Sequence, residues 1–88
     1  MNQPDMIQQL LVLLEGNGVQ IRNDSMGGGG GGLCRLKDKD LLIIDRDSTS
    51  LETAIACARA LREVIPDIES VYLKPVVRDF IDKYVLDG

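Results

Sequence analysis

Leu41-Leu42-Ile43-Ile44-Asp45-Arg46-Asp47-Ser48-Thr49-Ser50-Leu51-Glu52 decides the fold of this chain. Its first four residues are apolar without a break. A strand with no apolar–polar alternation is one buried on both faces, so this segment is expected at the centre of a sheet. Thr49 to Glu52 form a capping box, in which the Thr49 hydroxyl takes an orphan backbone N–H and Glu52 reaches back to the cap. A buried strand that runs within a few residues into a capped helix marks an α/β domain.

Working outward from that segment, Lys37-Asp38-Lys39-Asp40 reads as a charged tight turn and Leu33 to Leu36 as the preceding strand. Six glycines, Gly27 to Gly32, lead into it. Glycine takes positive φ at no steric cost but adds chain entropy, so residues 24–32 are expected to be a flexible loop or a backbone surface that something approaches closely. Val19-Gln20-Ile21-Arg22-Asn23 alternates apolar and polar and predicts a half-buried strand. Before it, Pro4 and Asp5 suit a helix start and Gly16-Asn17-Gly18 a helix end, with Met6, Ile7, Leu10, Leu11 and Leu14 as the buried stripe.

On the other side, Leu51, Ala54, Ile55, Ala58, Leu61 and Ile65 form a helical stripe that Pro66 ends. Ala54, Ala56, Ala58 and Ala60 make this helix slim enough to approach a sheet closely. Val71-Tyr72-Leu73 predicts a short strand, and Pro75 opens a last helix with Val77, Phe80, Ile81 and Tyr84 on one side. The expected architecture is a single α/β (α+β) domain over residues 1–88 in the order α-β-β-β-α-β-α. Its sheet is predicted to be mixed and four-stranded, in the sequential order 1-2-3-4, with helices packed on it. The first three strands are expected as antiparallel neighbours, and the third strand, second helix and fourth strand as a right-handed parallel crossover.

Composition narrows the functions. Net charge is −4 with Lys and Arg scattered, so the basic stripe that phosphate backbones require is missing and nucleic acid is not an expected partner. The apolar run Leu10 to Leu14 is far too short to span a membrane, and the N-terminal segment has no basic region of a secretory signal. Cys34 and Cys57 do not suggest a disulfide framework, which points to a cytoplasmic chain with reduced thiols. Histidine is absent, and with it the commonest general base and zinc ligand. No cofactor or metal is expected.

Three features could carry chemistry. The glycine run lacks the Lys-Ser or Lys-Thr pair and the following helix of a Walker loop. A glycine loop between strands also covers nucleotides in kinases, and Gly27, Gly29 and Gly32 meet that spacing as any run of glycines does, but the other kinase parts have no room. Cys34 borders the glycines and has Arg35 beside it, which makes it a better thiol candidate than Cys57, set among alanines. Leu41 to Thr49, four apolar residues and then Asp-x-Asp-x-Thr, resembles the first motif of the haloacid dehalogenase phosphatases. That resemblance implies Asp45 as nucleophile and Asp47 as acid/base beside Mg²⁺. The chain departs from the family in lacking its later Asp pair and its large Rossmann-like domain. Read from the residues alone, Asp45 and Asp47 precede a helix, where acids satisfy its dipole.

A second resemblance spans Val19 to Glu63. A strand, a Gly-Leu-Cys-Arg-Leu strand, a polar turn, an apolar strand and a Ser/Thr-capped helix are similar to the core of gluzincin metallopeptidases of the phage-repressor-cleaving and radiation-response type. Their zinc motif falls on Arg59-Ala60-Leu61-Arg62-Glu63, which holds no histidine, so the resemblance implies shared fold without peptidase activity. The glycine-rich stretch, Gly-Leu-Cys-Arg-Leu and the Ile-Asp strand also resemble an uncharacterised family of small bacterial proteins.

The function expected from these readings is protein contact rather than catalysis. Val12 and Leu13 lie off the buried stripe of the first helix, so self-association as a homodimer through them is predicted. The alternative is a small ligand-binding protein or Mg²⁺-dependent phosphate-handling enzyme that uses Gly27, Gly29, Gly32, Cys34, Asp45 and Asp47.

Overall fold

The computed structural model describes residues 2–28 and 31–86. Helix α1 (Gln3–Gly16) starts at Asn2, whose Oδ1 accepts the Asp5 N–H at 2.9 Å, and ends at Asn17 and Gly18, where φ reaches +84°. Strands β1 (Val19–Asp24), β2 (Gly31–Leu36) and β3 (Lys39–Asp45) follow, then α2 (Ser50–Val64), a single 3₁₀ turn (Ile68–Ser70) and α3 (Pro75–Ile81). The chain winds on from α3 as a wider π turn, Asp82–Leu86.

The sheet has three strands in the order β1-β3-β2, which corrects the expected four-stranded sequential sheet. β3 is central, as its apolar run demands, but β1 pairs with it in parallel and β2 antiparallel. After β1 the amides of Met26 and Gly28 lie against Asp45 at the end of β3, and β2 starts at Gly31 on the opposite edge of that strand. The turn at Lys37 and Asp38 then folds β3 back between the two. Proximity in sequence favoured β1 beside β2; the β2–β3 hairpin took the shorter connection and left β1 the far edge of β3.

The predicted fourth strand, Val71–Leu73, is an extended connection outside the sheet, so the parallel crossover is not formed. The Arg78 guanidinium takes the Val71 carbonyl, a group that a strand neighbour would otherwise hold. Leu73 is buried in the helical core, while Tyr72 is 83% exposed.

Among the described residues, helices cover one face of the sheet only. Val19, Leu42 and Ile44 join Met6, Leu10, Leu14, Ala54, Ala58 and Leu61 in a single core, with Ile21 and Leu33 packed against it. Leu41 and Ile43 point to the other face and are half-buried there, outside that core. The expectation that β3 is buried on both faces is thereby corrected: Leu42 and Ile44 are buried on the helix-covered face, and Leu41 and Ile43 are only half-buried on the other. Leu13, placed off the buried stripe by sequence, is half-buried against the chain's own core, whereas Val12 is 58% exposed.

Candidate functional site

Two regions at β2 concentrate the sequence-predicted residues. The first is the end of β3, where Asp45 is 1% exposed beneath the connection that crosses it. Its Oδ1 accepts the N–H of Met26 at 3.0 Å and of Asp47 at 2.9 Å, and its Oδ2 accepts the Gly28 N–H at 2.6 Å. Asp47 is exposed and its Oδ2 accepts the Gly27 N–H at 3.0 Å. Burial acts to raise the Asp45 pKa, and the N–H groups of Asp47, Met26 and Gly28 with the Ser48 side chain outweigh it, holding the carboxyl below its ordinary value. Gly27 and Gly28 adopt φ of +85° and +103°, which lets successive N–H groups converge on the two carboxylates.

This arrangement spends both Asp45 oxygens on the fold. A nucleophilic carboxylate needs a free oxygen aimed at substrate, and here each is occupied by backbone. Among the described residues, no group of three or more His, Cys, Asp or Glu side chains is placed to hold a metal ion. Gly29 lies outside the described residues. Cys57 is buried, and burial pushes its thiol up to about 11, away from reactivity. Cys34 is exposed and unpaired on β2. Its partner in the ladder is Leu41, on the face without helices.

The second region is an open groove of about 460 Å³ between β2 and α2. Gly31, Gly32 and Leu33 form its strand wall, and Ile55, Ala56 and Arg59 stand on its helix wall. β2 and α2 both start at the Asp45 end of the sheet. At their other ends Arg35 ties them, donating to the Glu63 carbonyl at 3.1 Å and to Asp40 Oδ1 at 3.0 Å. α2 therefore runs alongside β2 in the same direction. Its start is the predicted capping box: Thr49 Oγ1 accepts the Glu52 N–H at 3.1 Å and Glu52 Oε1 accepts the Thr49 N–H at 3.0 Å. The Thr49 N–H and hydroxyl hold the Glu52 carboxyl below its ordinary value, against burial and the Asp45 charge, which act to raise it.

Sequence reasoning missed Gly31 and the groove. A methyl group at Gly31, where φ is +93°, would stand 1.8 Å from the Ile43 carbonyl oxygen. Gly32 has no such neighbour within 4 Å. Within a run of glycines nothing distinguishes the required one from its neighbours. The groove did leave a signal: Glu52, Ile55, Ala56, Arg59 and Glu63 recur at helical spacing on a face other than the buried Ala54, Cys57, Ala58 and Leu61.

No protein-family model, no curated protein and no solved structure matches this chain. Among the described residues no helix is long and apolar enough to cross a membrane.

Proposed function

We propose that this domain is a cytoplasmic protein-interaction module with no chemistry of its own, and that it makes contact by strand addition at β2. One observation carries the reading: β2 is an edge strand with a groove beside it. Alternate residues of such a strand direct unpaired N–H and C=O groups outward, ready to bond an added strand, while side chains of that strand enter the groove. β2 also carries few of the devices that guard edges. It has no proline, and its single charge, Arg35, is held by Asp40 and the α2 end.

The rival reading, a phosphate-handling or ligand-binding protein, would use Asp45 and the glycines. What weighs against it is the occupation of both Asp45 oxygens by the loop. Melting curves with Mg²⁺, nucleotides and phosphorylated sugars separate the two, because a ligand of the native state raises Tm by mass action. No shift is expected; a rise that Asp45→Asn abolishes overturns the proposal. The positive arm is amide exchange with a synthetic peptide of the β2 sequence, Gly-Gly-Leu-Cys-Arg-Leu. At protein concentrations dilute enough to keep the chain monomeric, outward amides of β2 should gain protection, and unchanged exchange at saturating peptide also overturns it.

A further inference from the structure

We infer that the strand added at β2 is the β2 of a second copy of this chain, giving a two-fold dimer with a continuous six-stranded sheet. The inference rests on the strand-addition reading and names its partner. Three features of the groove select a second copy.

The first is spacing. Strands in a sheet lie about 4.8 Å apart, and α2 rests over β2 and β3. A partner β2 placed antiparallel beside this one puts the two α2 helices about 10 Å apart across the two-fold axis, the upper end of ordinary helix packing distances. The alanines on α2 keep the facing surfaces low enough for that approach.

The second is charge. On the groove side α2 presents Glu52 three residues before Ile55 and Arg59 three residues after Ala56. The acid and the base stand equally far from the Ile55–Ala56 centre. An antiparallel copy centred there sets Arg59 of each protomer against Glu52 of the other, twice, with the apolar pair between. Arg59 has no hydrogen-bond or ion-pair partner among the described residues, and the Glu52 carboxylate keeps lone pairs beyond those Thr49 engages.

The third is the strand itself. Pairing about Leu33 brings the two half-buried Leu33 side chains together beneath Ile55 and Ala56. Cys34 then faces Gly32 of the other protomer, which has no side chain to obstruct it.

Sedimentation equilibrium on the full chain is the test, with two variants. Wild type should be dimeric. Arg59→Glu, at an exposed position, should remain folded by circular dichroism and weaken the dimer by about 100-fold, since like charges then meet twice. Gly32→Cys should form a protomer-to-protomer disulfide with Cys34 on mild oxidation, seen as a dimer on a non-reducing gel. A monomeric wild type at high concentration overturns the inference. So does a dimer that survives Arg59→Glu and forms no cross-link, because it must use another surface. If wild type is monomeric yet the β2 peptide still protects the strand edge, the second copy fails while the interaction function stands; if neither occurs, both fail.

Discussion

The two flanks of β3 meet opposite demands. At its C-terminal end two acidic side chains collect the amides of Met26, Gly27, Gly28 and Asp47. At the β2 edge the ladder stops, and the helix alongside presents Arg59, unpaired among the described residues, and two half-buried apolar residues. Acidic residues whose spacing resembles a catalytic motif are consumed by the fold, and a helix face whose Ile55 was expected in the buried stripe lines an open groove. Functional promise in a sequence follows residue type; in the structure it follows which groups remain unsatisfied.

The largest break in this contrast should come from Gly31→Ala. The new methyl meets the Ile43 carbonyl in a left-handed conformation, so we expect a loss of about 3 kcal/mol by urea unfolding. Gly32→Ala, one residue along and facing open space, should change stability by less than about 0.5 kcal/mol. Equal losses at the two positions would show that the close approach of Gly31 to Ile43 does not set the cost.

Asp45→Asn comes next. An amide cannot accept on both sides, so one of the loop N–H groups meets another donor, and the amides of Met26 and Gly28 should exchange faster. The substitution also reads out in acid. A carboxyl whose folded pKa lies below its ordinary 3.8 adds stability above that pH, and the contribution is lost as pH falls through the folded value. Wild type should therefore lose stability below pH 3.8, and Asp45→Asn should lose less over the same range. A parallel decline in both proteins would remove Asp45 as the loop's anchor.

Two smaller effects sharpen the comparison on the helices. Leu13→Lys should cost about 2 kcal/mol, because Leu13 packs against the chain's own core, whereas exposed Val12→Lys should be nearly neutral. Any interface on α1 is then tested cleanly only at Val12: loss of a dimer in Val12→Lys would move the contact surface from β2 to α1. Thr49→Ala should cost about 1 kcal/mol through the lost cap, measured by thermal or urea unfolding.

Local signals were legible at the level of single elements. Pro4 and Asp5 opened α1, Gly16-Asn17-Gly18 closed it, and Thr49 with Glu52 opened α2 as the capping pattern requires, since these signals lie within one helical turn. Val71–Leu73 misled because three apolar-rich residues between turn signals fit a strand equally well as a buried connection. The Asp45 cradle was hidden for a different reason. Its partners sit seventeen and nineteen residues earlier in the chain, and nothing in the Asp-x-Asp spacing announces them.

By itself the sequence determined that an unbroken apolar run would be the central strand and where the helices begin and end, because burial and capping are properties of short segments. Only the tertiary structure decided which strands flank β3, which glycine the close approach to Ile43 requires, and that α2 leaves Glu52, Ile55, Ala56 and Arg59 facing a groove. Pairing order is set by competition between connections of different length, and a groove exists only once two distant elements lie side by side.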